Sequence, residues 1–223
     1  MTAAVTGAAT RSHSAVLTPT LTKQCVGFMI GSAFFALGSA PGFGSLVGAA
    51  WVNIVYFVGA WFFTGAALIQ LVLSGAMTVP VEYAPGRMFR AEWLAAATQF
   101  FGTLLFNVST TGALAAHTIK GQQHLVWTPD AGGSVAFLIS ACFVLLAFAR
   151  LHPFWSVRTA DWWSGQINMA GCIAFGVAAV ASFITTAGVT VDAVLANVTT
   201  FIGGVCFFLS SLIVLPALRR AST

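Results

Sequence analysis

The chain has 223 residues, of which 58% are hydrophobic and 6% charged, and its mean hydropathy is +0.92. Soluble domains carry about a quarter charged residues, so a water-soluble globule is excluded: there is too little polar surface to cover such a core. The net charge of +4 does not point to nucleic acid, because the cations are dispersed between apolar runs, where they act as orientation signals.

Residues 1–22, MTAAVTGAATRSHSAVLTPTLT, are small, polar and weakly charged. They lack the basic start, apolar run and cleavage site of a secretory signal, and their composition predicts a disordered cytoplasmic tail. Six runs free of Asp, Glu, Lys and Arg follow, near 24–43, 47–74, 93–117, 133–149, 163–187 and 193–216. Crossing the hydrocarbon of a bilayer takes about 20 helical residues. The runs are continuous rather than alternating, which favours helices over a β-barrel. The expected fold class is an all-α integral membrane protein: one six-helix transmembrane domain over 23–217, with a short cytoplasmic tail at 218–223. On that layout Arg11, Lys23, Arg87, Arg90, Arg150, Arg158, Arg219 and Arg220 share one side, and only Lys120 lies on the other. Short basic loops stay cytoplasmic, so both termini are expected inside. No appended soluble domain is expected.

Spans 1–2 and 5–6 read as copies of one hairpin. Asn53, Phe57, Gly59 and Phe63 align without a gap on Asn197, Phe201, Gly203 and Phe207, and Gly31 and Phe35 correspond to Gly171 and Phe175. Both hairpins start on the same side, which makes them parallel repeats about an axis along the membrane normal, with spans 3–4 between them. Gly27 and Gly31 form a GxxxG spacing that lets helix backbones approach closely. Phe34, Phe35, Phe57, Phe62, Phe63, Phe207 and Phe208 flank glycines, as rings filling the space they leave. Trp51, Trp93, Trp127, Trp155, Trp162 and Trp163 mark span ends, as expected of an interfacial aromatic belt. Cys25, Cys142, Cys172 and Cys206 all lie in or beside apolar runs, and no disulfide is expected.

The run Ile30-Gly31-Ser32-Ala33-Phe34-Phe35-Ala36-Leu37-Gly38-Ser39, followed by Phe57-Val58-Gly59-Ala60-Trp61-Phe62-Phe63, resembles the YrhK-like family of small bacterial membrane proteins. The resemblance covers spans 1–2 and, more loosely, spans 5–6, where Ala170-Gly171-Cys172 replaces the Ile-Gly-Ser pattern. It implies placement in a bacterial inner membrane, and it transfers no activity.

With no Asp, Glu, Lys or Arg in the runs, ion-coupled chemistry lacks its usual carrier. The intramembrane candidates are amides and hydroxyls: Asn53, Asn107, Ser109, Thr110 and Asn197. They act either as interhelical glue or as the lining of a polar path. Asn53, Asn107 and Asn197 are expected to stitch spans 2, 3 and 6 together. Residues 118–132 read as a solvated outer loop containing His124 and Asp130, without a metal-ligand spacing. Asp192 and Asp161 read as helix caps, and Glu82 and Glu92 as interfacial partners of Arg87 and Arg90. No nucleophile–base grouping is present, so neither a catalytic residue nor a cofactor is expected. The partners implied are the lipid bilayer and a membrane-protein partner or second copy, not nucleic acid. The expected role is a non-enzymatic accessory subunit, scaffold or sensor; the alternative is a small transporter or channel for an uncharged or lipidic solute.

Overall fold

The structure, a computed structural model, describes residues 18–81, 85–153 and 155–216. The expectations for 1–17, Glu82 and 218–223 lie outside the described residues. Six long helices dominate: α1 (Leu21–Ser39), α2 (Ala49–Leu73), α3 (Ala91–Ala115), α4 (Thr128–Leu151), α5 (Ala160–Ala181) and α6 (Ala193–Ile213). Side chains cap three of them. Thr20 accepts from the Lys23 N–H, Thr159 from Trp162 and Asp192 from Leu195, which satisfies first-turn donors. Asp192 is thus a cap as expected, whereas Asp161 lies inside the first turn behind Thr159. α1 begins two residues before the predicted domain start, taking in part of the segment read as tail. Between α2 and α3 a short antiparallel ladder pairs Thr78–Pro80 with Arg87–Phe89, and Arg90 lies 3.5 Å from Glu92.

Among the described residues, five helical stretches are long and apolar enough to cross a membrane: α1, α2, Ile119–Leu151, α5 and α6. α3 has the length, at 25 residues, but Gln99, Asn107, Ser109, Thr110 and Thr111 lower its hydropathy. Burial is inverted relative to a soluble protein. The buried set is mainly Ala, Ser, Thr and Phe, with Cys25, Cys172, Gln99 and Asn107, while Trp61, Phe101, Val135, Ile173, Val180 and Val194 are more than half exposed. Such an exterior belongs against lipid.

One correction concerns residues 118–132. They do not form a solvated loop. Ile119–Gly121 is helical, Gln122–Trp127 continues as a π-helical turn, and α4 starts at Thr128 with no break. Pro129 stands where the π-helical turn passes into α4, so the polar TPD sequence lies within a continuous helix rather than ending a loop.

The six helices pack in a closed ring, each against its chain neighbours and α6 against α1. Each carries a glycine four residues before a phenylalanine: Gly31 and Phe35, Gly59 and Phe63, Gly102 and Phe106, Gly133 and Phe137, Gly171 and Phe175, Gly203 and Phe207. Within each antiparallel hairpin, the phenyl ring of one helix lies over the glycine of the other. A Cβ on Gly102 would come within 2.7 Å of the Phe137 ring, and one on Gly133 within 2.7 Å of Phe106. The glycines are there for that close approach. The middle hairpin, α3–α4, makes the same contact as the other two, a correspondence that alignment of spans 1–2 with 5–6 did not reveal.

Candidate functional site

The six phenylalanines meet at the centre of the ring. Phe35, Phe106 and Phe175, from the odd helices, form a triangle with ring centroids 5.7–6.1 Å apart. Phe63, Phe137 and Phe207, from the even helices, form a second, with edges of 5.8–6.4 Å. Hairpin partners join the triangles at 5.0–5.6 Å. These are favourable edge-to-face and offset separations, and all six side chains are buried. Between them remains a void of about 10 Å³, at the lower limit for one water. The triangles form a plug.

A cavity lies on each side of the plug. The larger, about 320 Å³, has Phe35, Phe106 and Phe175 at its base, with Asn53, Tyr56, Ser109, Thr110, Trp127, Asp130, Asn197 and Thr200 in its walls. The smaller, about 130 Å³, adjoins Phe63 and Phe207 and is lined by Gln24, Gln70, Gln99, Ser140, Ser164, Asn168, Ser210 and Ser211. We call them the Asp130 cavity and the glutamine cavity.

The walls of the Asp130 cavity follow from helical register. Three residues before the even-helix glycines stand Tyr56, Asp130 and Thr200, and six before them stand Asn53, Trp127 and Asn197. One turn and nearly two turns from the glycine, these positions face the same interior. All six line the cavity.

Of the five candidates read from sequence, Asn53, Ser109, Thr110 and Asn197 come together in this cavity. Asn107 does not line it; it is buried in the wall, where its Nδ2 donates to Thr64 Oγ1 at 2.8 Å. Asn53 Nδ2 donates to the Ala113 carbonyl at 3.0 Å. Spans 2 and 3 are therefore stitched twice. Asn197 is exposed and makes no hydrogen bond to another helix among the described residues, so the expected third stitch to span 6 is not made. Asn107 Oδ1 is buried without a hydrogen-bond partner, the kind of atom that an ordered water or solute ordinarily satisfies.

Asp130 is the residue that sequence reasoning missed. Assigned to a loop with His124, it stands in α4 within the cavity, whereas His124 is exposed. Its signal was present: Asp130 precedes Gly133 as Tyr56 precedes Gly59 and Thr200 precedes Gly203. Trp127 was read as an interfacial anchor. Its indole N–H instead donates to the Ala179 carbonyl at 2.8 Å, holding the ring in the cavity wall beside Phe183. At the other cavity, Ser140 donates to the Ala95 carbonyl at 2.7 Å and Ser164 to the Ser210 carbonyl at 2.9 Å, tying α4 to α3 and α5 to α6.

No family model, curated protein or solved structure matches this chain. The site therefore has to be interpreted from its own geometry.

Proposed function

We propose that the protein is a small membrane channel or carrier for a compact polar solute, with the six-phenylalanine plug as its closed gate. The observation that carries this reading is the stacking order: polar cavity, double aromatic triangle, polar cavity, all inside one closed ring of helices. A ring built only to scaffold partners has no reason to bury amides, hydroxyls and a carboxylate around internal space, since each such group costs free energy in an apolar surrounding. The accessory or scaffold role remains the second reading. Its support is the exposed apolar helix faces, which lipid covers equally well.

The finer architecture belongs to the same proposal. α3 crosses as the sixth span because its polar residues face the ring interior rather than lipid. The three hairpins are then copies of one unit about an axis along the membrane normal. The end of the ring carrying Lys23, Arg90, Arg150 and Arg158 faces the cytoplasm, with Lys120 outside, in a bacterial inner membrane as the YrhK-like resemblance implies. Alkaline phosphatase fused after residue 125 should be active, and fused after Thr223 inactive; the reverse pattern would sink the orientation.

The functional reading is tested by reconstituting the purified protein in liposomes and following swelling or shrinkage with small neutral and charged solutes. Permeability above protein-free liposomes for at least one solute class supports a conduit. Liposomes that stay as tight as controls for every solute, with the intact plug and with Phe106→Ala alike, would defeat it.

A further inference from the structure

We infer that the Asp130 cavity is a binding site for a small primary alkylammonium ion, which rests on this cavity being the solute site proposed above. The first observation concerns charge. Asp130 accepts no hydrogen bond and forms no ion pair among the described residues, and no Lys, Arg or His lines the cavity with it. A carboxylate set inside a helix ring calls for a counter-ion, and the protein supplies none.

The second observation concerns the direction of the donors. Asn53 gives its amide hydrogen to the Ala113 carbonyl, Thr110 its hydroxyl hydrogen to Phe106, Thr200 to Ala196, and Trp127 its indole hydrogen to Ala179. These donors are spent on helix backbone. Thr110 and Thr200 have only acceptor lone pairs left for the cavity, while Asn53 keeps its carbonyl oxygen and one N–H. These acceptors beside one carboxylate suit a ligand group that brings a positive charge and several donors. An ammonium group has that inventory, while an anion or a carbonyl compound does not.

The third concerns the apolar part. Tyr56, Trp127 and the Phe35–Phe106–Phe175 triangle line the same space, and aromatic rings around a cavity can attract a cation and accommodate a short alkyl group. At about 320 Å³ the cavity is at the small end of ligand sites and, at about 30 Å³ per water-sized group, has room for an ammonium group with a short alkyl chain.

The test is equilibrium binding to the intact protein in detergent at constant ionic strength, by calorimetry or ligand-observed NMR. The probes are methylammonium, potassium and acetamide, the last two carrying charge without donors and donors without charge. Methylammonium should bind more tightly than either. Asp130→Asn should weaken it by about 30-fold or more, and Asp130→Glu, which keeps the charge, should restore most of the loss. Thermal unfolding checks that both variants are folded. Equal binding by parent and Asp130→Asn, preference for potassium or acetamide, or no methylammonium binding would each overturn the inference. Binding without liposome flux would leave the site standing and defeat the conduit reading; flux without amine binding would do the opposite.

Discussion

The two cavities differ in how their polar groups are used. Around the glutamine cavity, serines donate to carbonyls of neighbouring helices, Ser140 to Ala95 and Ser164 to Ser210, and all the lining groups are neutral. Its polarity is largely mortar, drawing helices together where lipid offers no hydrophobic drive. Around the Asp130 cavity, Asn53 and Trp127 also bond to neighbouring helices, but Thr110 and Thr200 turn their hydrogens back into their own helices, and the space is larger and holds the carboxylate. The helix ring is thus tightened at one end and hollowed at the other, with the phenylalanine cluster as the boundary.

That contrast can be broken first at the plug. Phe106→Ala removes a ring shared by both triangles' contacts and should lower stability by about 3–5 kcal/mol, the usual cost of truncating a buried phenylalanine. Phe101→Ala, on the exposed face, should cost far less in detergent. Next in size, Gly102→Ala or Gly133→Ala forces a methyl into the facing ring and should cost about 1–3 kcal/mol. If either alanine variant matched the parent in thermal unfolding, close glycine–phenylalanine packing would not be what fixes the hairpins.

The amides give smaller effects and sharpen the comparison. Asn53→Leu and Asn107→Leu each lose an interhelical hydrogen bond and should fall by about 0.5–2 kcal/mol. Asn197→Leu, at the matching position of α6, has no such bond to lose and should be close to silent. Equal losses at Asn53 and Asn197 would mean that the register correspondence, not the hydrogen bond, sets the effect.

Much of this was legible in the sequence, and the failures have physical causes. Apolar runs free of charge located all six long helices, because a lipid-facing helix must be continuous in hydrophobicity. The largest boundary errors were the end of α5, expected at 187 and found at Ala181, and the start of α4, expected at 133 and found at Thr128. A charge-free criterion necessarily stops at Asp130, so the rule that found the helices also hid the site's one carboxylate. The Gly59–Phe63 and Gly203–Phe207 pairs were visible through their flanking Asn and Phe. Gly102–Phe106 has only the flanking Phe100 and Gly133–Phe137 has neither flank, and the ring contacts bring them into line with the rest. Asn53, Ser109, Thr110 and Asn197 were selected as polar groups in apolar helices, and they do gather in one cavity. Which of them bond, and to what, depended on helix rotation that composition does not carry.

The central claim is that the double phenylalanine triangle is the barrier between two polar cavities. Its most direct test compares small-solute permeability in liposomes containing the parent, Phe106→Ala or the lipid-facing control Phe101→Ala at matched protein density. The account predicts that permeability rises in Phe106→Ala, and not in Phe101→Ala, while both remain folded and ring-closed by circular dichroism and thermal unfolding. Unchanged permeability in folded Phe106→Ala, or an equal rise in Phe101→Ala, would contradict it.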